Sequence, residues 1–113
     1  MNASRANQND GEIGAVGIST PGELDEDRLN AWVAELLVTK GEDIVSTRGV
    51  LAVHGSERRL IVQSVNQYLE TRFERMWGPR ELRGNSLLLI GRNLDRTALH
   101  AGLQSCLAEA GTA

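Results

Sequence analysis

A chain of 113 residues has room for one domain and can bury a core without disulfide or metal staples. Twelve Lys and Arg stand against fifteen Asp and Glu, a formal net charge of -3, which gives no general attraction to nucleic acid or anionic lipid. One cysteine excludes an internal disulfide framework, the first residues lack the basic start and apolar run of a signal peptide, and no apolar stretch approaches the ~18 to 20 residues that span a bilayer, so a cytoplasmic protein is expected. The charge is uneven along the chain. Acidic side chains crowd the first part (Asp10, Glu12, Glu23, Asp25, Glu26, Asp27), whereas arginines dominate from Arg58 onward.

Residues 1–11 are polar with almost nothing to bury and read as a disordered tail, leaving one domain over residues 12–110. Ile13 to Ser19 suits a buried strand that ends at the turn Thr20-Pro21-Gly22. Asp25 can cap a helix whose Leu29, Trp32, Val33, Leu36 and Leu37 share one face, with Lys40 and Gly41 as its stop. Ile44 to Val53 and Arg59 to about Tyr68 read as an antiparallel hairpin around the polar turn His54 to Arg58, where Gly55 takes the positive φ. In its first strand Val45, Leu51 and Val53 line one face, the other face is mixed, and Gly49 marks a bulge or a close backbone approach.

Glu70 to Gly84 shows no clear period and contains Gly78-Pro79, so it reads as a long connection with Phe73, Met76 and Trp77 as anchors. Ser86 to Ile90 is a continuous apolar run of strand length and reads as a central strand. Asp95 then caps a second helix that carries Leu99, Leu103, Cys106 and Leu107 and frays at Gly111. The expected fold is α+β: a two-layer sandwich in the order β-α-β-β-β-α, with a mainly antiparallel four-stranded sheet and two helices on one face. Strand order does not follow from these patterns.

No catalytic constellation emerges from the residue types. Gly11, Gly14 and Gly17 lie before or within a strand at the wrong spacing for a dinucleotide cradle, and no Gly-x-x-x-x-Gly-Lys-Ser/Thr element exists in the chain. His100 and Cys106 are six residues apart on one predicted helix and diverge around its axis, while His54 sits in a hairpin turn, so a metal site would need carboxylates or a second chain. Arg92 and Arg96 flank the start of the second helix, but Asp95 at the cap competes with any anion for the free N–H groups. The loop arginines, interleaved with Tyr68, Phe73 and Trp77, suggest single-stranded nucleic acid, and Glu70, Glu74 and Glu81 dilute that patch.

Several short pieces recur together in order. They are Pro21-Gly22-Glu23-Leu24-Asp25 leading into Leu29-x-x-Trp32 and Leu36-Leu37, then Gly41-x-Asp43-Ile44, Arg48-Gly49-x-Leu51 and Val62-Gln63-x-Val65. Trp77-Gly78-Pro79 and Leu89-Ile90-Gly91-Arg92-x-Leu94-Asp95 complete the set. From about Ile13 to Leu107 the chain resembles the C-terminal domain of the CobW family of GTP-dependent metal chaperones. In that family a preceding P-loop GTPase domain binds GTP and a divalent metal, the latter through a Cys-x-Cys-Cys motif, and neither element is present in this sequence. The resemblance therefore implies a non-catalytic accessory domain that binds no cofactor itself, with GTP and a divalent metal (zinc or cobalt) belonging to a parent protein. It further implies metal delivery to a metalloprotein or to the cobalamin pathway.

Four positions depart from the family pattern. Ser46 stands where the family usually has arginine, Arg48 where it has lysine, and Ser64-Val65-Asn66 where it has Gly-Val-His. Asn66 cannot titrate and is a poor metal ligand beside histidine, which puts a proton-linked or metal-contacting role there in question. The expected contact surface is the sheet face bearing Arg48, Gln63 and Asn66, with Trp77 and Arg92 nearby, turned toward a P-loop GTPase domain or a client metalloprotein. Polar side chains within apolar strands motivate it, since they either meet partners or face water. Independent nucleic-acid binding by the loop arginines and self-association through edge strands are the alternatives.

Overall fold

The computed structural model describes residues 12–65 and 68–108; the tail expected over residues 1–11 lies outside the described residues. Strand β1 (Gly14–Pro21) is followed by helix α1 (Glu26–Lys40), then by β2 (Ile44–Ala52), β3 (Arg58–Val65), β4 (Tyr68–Met76) and β5 (Gly84–Gly91), and last by helix α2 (Arg96–Gln104). The sheet order is β1-β5-β2-β3-β4 and every neighbouring pair is antiparallel. β1 and β2 therefore run parallel, with the last strand inserted between them, a split β-α-β unit whose gap is filled only when β5 arrives.

Alternation along the strands sorts the two faces. Val16 and Ile18 of β1, Leu51 of β2, Leu60 and Val62 of β3, and Leu87 and Leu89 of β5 are buried with Leu29 of α1 and Leu99 and Leu103 of α2. Both helices lie on this side, and the opposite side has no helix over it. Each helix starts at an aspartate whose carboxylate accepts a backbone N–H of the first turn: Arg28 N–H to Asp25 (3.0 Å) and Ala98 N–H to Asp95 (3.2 Å). At Gly49 the backbones of β2 and β5 come so close that a Cβ would run into the Ser86 carbonyl oxygen and the Leu87 side chain. The close approach expected at that glycine is present, and the hairpin turn places Gly55 at φ 90°.

The sheet has five strands where four were expected. The first half of the span read as a long connection, Glu70 to Met76, belongs to β4, and β3 ends at Val65 instead of running to Tyr68. Residues 66 and 67, outside the described residues, join the two. The sequence hides β4 because Glu70, Arg72 and Glu74 on one side alternate with Thr71 and Arg75 on the other, so only Leu69 and Phe73 mark an inner face. Two boundaries also move. Val45 is the extra residue where the β2–β5 register shifts between Ile44 and Ser46, and it is Ile44 that enters the core. α2 stops at Gln104, short of Cys106 and Leu107, and Gly111 lies outside the described residues.

Leu24, in the link between β1 and α1, ties the ends of these elements together. Its N–H donates to Ala52 O (2.8 Å), its own carbonyl accepts from His54 N–H (2.8 Å), and on either side Asp25 N–H donates to Cys106 O (2.7 Å) and Glu23 O accepts from Ala108 N–H (2.8 Å). Buried Asn85 holds the neighbouring corner. Its Oδ1 accepts from Ala52 N–H (2.8 Å) while its Nδ2 donates to Thr20 O (3.1 Å) and Gly22 O (3.0 Å).

Candidate partner-binding face

The side of the sheet away from the helices is built in rows by the strand register. Arg48 lies directly opposite Gln63 on β3 and opposite Leu88 on β5, and Gln63 is in turn opposite Glu70 on β4. The next row places Val50 between Ile61 and Ser86. Arg48, Gln63, Glu70 and Leu88 are exposed, and Val50, Ile61 and Ile90 are half-buried. A charged and hydrogen-bonding centre thus sits among aliphatic side chains that no other part of the described chain covers, the composition of a contact surface with an apolar floor.

Trp77 follows β4 and closes one end of this face. Its N–H donates to Glu57 O (2.9 Å), and the Arg59 guanidinium carbon stands 5.9 Å from its ring centroid, a cation–π contact. Trp77, Arg59, Val50, Leu82 and Ser86 line a shallow hollow there. The indole Nε1 and Arg59 Nε are both buried without a hydrogen-bond partner among the described residues. The turn after Trp77 is fixed by Glu81, which accepts from Arg75 (2.9 Å) and from Gly78 N–H; the Arg75 hydrogen bond first, then the Gly78 one, draws its carboxyl down to about 2. Arg75 is raised in return, chiefly by the same bond.

Of the residues singled out by sequence, Arg48 and Gln63 come together at the centre of the face. Trp77 stands at the end where β5 begins. Arg92 is just past the other end of β5, its N–H donating to Asp43 O (2.8 Å), so a strand length of about 23 Å separates the two. Asn66 lies outside the described residues. Glu70, which completes the Arg48–Gln63 row, was not legible because β4 itself was not, and Leu88 sat unmarked within a uniformly apolar run.

The other groups weighed for chemistry are occupied within the fold. Four arginines of this region form ion pairs, Arg59 and Arg72 with Glu74, Arg75 with Glu81 and Arg83 with Glu23. His54 Nδ1 lies 3.1 Å from Glu23 Oε1, and His100 Nε2 lies 3.1 Å from Ser19 O. The Cys106 thiol is buried, points to Arg28 O and Gly102 O, and is pushed up by that burial, the opposite of what a thiolate ligand needs. Among the described residues no three His, Cys, Asp or Glu side chains gather where they could hold a metal ion, so the divalent metal implied by the resemblance finds no donor set among them. No helix among them is long and apolar enough to cross a membrane.

The chain is thus of the α+β class, a five-stranded antiparallel sheet with one face covered by two helices and the other bare. Residues 13–107 match the family described as the cobalamin synthesis protein cobW C-terminal domain, and the chain belongs to that family. It is 34% identical over 86 residues to the zinc chaperone CobW of Pseudomonas aeruginosa, covering 76% of this chain and 22% of that protein. It is 32% identical over 78 residues to the zinc chaperone CobW of a Sinorhizobium species, covering 68% of this chain and 20% of that one. The chain thus spans about a fifth of the length of these relatives. The crystal structure of the Zn(II)-bound YjiA GTPase from E. coli shares the fold, with a TM-score of 0.81 over 90% of this chain and 31% of that one at 22% identity.

Proposed function

We propose that residues 12–110 work as the accessory domain of a CobW-like, GTP-dependent metal chaperone, and that the bare sheet face is the surface presented to a P-loop GTPase domain or to a client metalloprotein. The observation that carries the reading is the register that seats Arg48 opposite Gln63 amid Val50, Ile61, Leu88 and Ile90, a central polar pair on uncovered apolar surface. GTP and the divalent metal, zinc or cobalt, belong on this reading to the GTPase part, in keeping with the dispersed donors among the described residues. The domain then contributes no bond-making step. It positions, and it acts in the cytoplasm beside its GTPase partner. Arg48 supplies a fixed positive charge with forked donors for a carboxylate, and Gln63 supplies one donor and one acceptor arm beside it.

The test is capture from the source cell extract with the folded domain as bait, comparing wild type with Arg48→Glu and Gln63→Glu, and with Glu35→Lys on α1 as a control. Retention of a P-loop GTPase or metalloprotein by wild type and control, lost in both face variants, is the expected result. Equal retention by all four baits would show that the bare face is not the contact surface.

A further inference from the structure

The two edges of the sheet are treated differently. At β1, α2 runs alongside and turns two side chains onto the outward carbonyls: Arg96 donates to Gly17 O (3.1 Å) and His100 Nε2 lies 3.1 Å from Ser19 O. At β4 the only such contacts among the described residues lie beyond its straight part, Arg58 donating to Glu74 O (2.9 Å) and Arg75 to Met76 O (3.0 Å), and Tyr68–Phe73 has none. β4 pairs with β3 on one side only, and Tyr68 and Phe73 along it are 82% and 44% exposed. An uncovered edge offers a row of backbone donors and acceptors to another strand.

The side chains of β4 say which strand fits. Its register with β3 is regular from Tyr68 to Phe73 and shifts only beyond, so the straight part of the edge is centred near Thr71. Glu70 and Arg72 lie on the bare face, opposite Gln63 and Ile61, whereas Leu69 and Phe73 lie on the helix face, opposite Ser64 and Leu60. An antiparallel second copy placed by a two-fold axis through Thr71 puts each Glu70 opposite an Arg72 and each Leu69 opposite a Phe73. Shifting the axis to Arg72 sets arginine against arginine and Glu70 against Glu74, and shifting it to Glu70 sets glutamate against glutamate. One register is complementary in charge and in hydropathy on both faces at once.

The helix face adds to this. α1 leaves an apolar hollow of about 230 Å³ beside β4, lined by Val33, Leu36, Leu37, Leu69 and Phe73 among others. A two-fold axis perpendicular to the sheet keeps the helices of both copies on one side and turns the open flanks of the two hollows toward each other. We propose that β4 is a self-association edge, pairing with β4 of a second copy about Thr71 to join the two five-stranded sheets into one. The Arg48–Gln63 centre of both bare faces remains open, and Glu70 at the margin is the one residue the contact shares with the partner-binding reading above. The contact is of the small, transient class.

The experiment measures the mass of the chain against concentration by sedimentation equilibrium, for wild type, Glu70→Arg, Arg72→Glu, the two variants mixed, and the double swap. Wild type should dimerise reversibly, and each single reversal, which makes both symmetry-related contacts repulsive, should raise the dissociation constant on the order of 30-fold. The mixture pairs a strand of one sign with a strand of the other and should dimerise again, as should the double swap. Thr71→Cys should cross-link on oxidation without any change of charge, since Cys106 is buried. A wild-type monomer up to about 1 mM overturns the proposal, as does a dimer that neither reversal weakens or a mixture that does not recover.

Discussion

On the inner face of the sheet Val16, Ile18, Leu51, Leu60, Val62, Leu87 and Leu89 are buried beneath two helices, while on the outer face the same strands carry Arg48, Gln63, Val50, Ile61 and Leu88 with no helix above them. Adjacent residues of one strand therefore experience different environments, Leu88 exposed between the buried Leu87 and Leu89. The inner face carries the stability, because apolar area removed from water is its main favourable term. The outer face leaves comparable aliphatic groups half-exposed and sets a charge among them. That difference separates what holds the domain together from what it can offer a partner.

Substitutions on the two faces should consequently have opposite signatures. Leu89→Ala, at an inner-face side chain with no exposure, should cost about 3 to 4 kcal/mol in denaturant unfolding, from lost burial and an unfilled cavity. Asn85→Ala should cost about 3 kcal/mol, since it strands the Ala52 N–H and the Thr20 and Gly22 carbonyls in a buried corner. Asn85→Asp should not rescue, because a carboxylate cannot donate to two carbonyls. If either variant unfolded like wild type, the inner face would not be the seat of stability.

Acid should act next, and locally. The folded Glu81 carboxyl is held down to about 2, below its ordinary value of 4.5, so its bonds to Arg75 and Gly78 contribute fully above that ordinary value and are lost as pH falls toward about 2. In a Trp32→Phe background, Trp77 fluorescence should report loosening of this turn in that window, and Glu81→Gln should flatten the response. The smallest effect on stability belongs to the outer face. Arg48→Glu should stay within about 0.5 kcal/mol of wild type in unfolding while abolishing partner capture. A large loss of stability there would erase the distinction between the faces.

Elements with strong periodicity were open to sequence reasoning. Asp25 and Asp95 as caps, the 3.6-residue spacing from Leu29 to Leu37, the Gly55 turn and the apolar run of β5 all depend on neighbours in the chain, and each appears in the structure. The family resemblance, carried by short pieces in order, was legible for the same reason and is matched over residues 13–107. β4 was not legible, since an edge strand with one partner and polar residues on both faces lacks the alternation that burial imposes.

Local chemistry thus determined the helices, their starts, the first hairpin and the α+β class. Tertiary structure alone decided that β5 enters between β1 and β2, that Arg48 lies opposite Gln63 while Trp77 and Arg92 stand a strand apart, and that Arg96 and His100 cover one edge while the other is uncovered over Tyr68–Phe73 among the described residues. The physical reason is range: caps, turns and periodicity act over a few residues, whereas strand order and the choice of face are settled by which distant segments bury their apolar sides against one another.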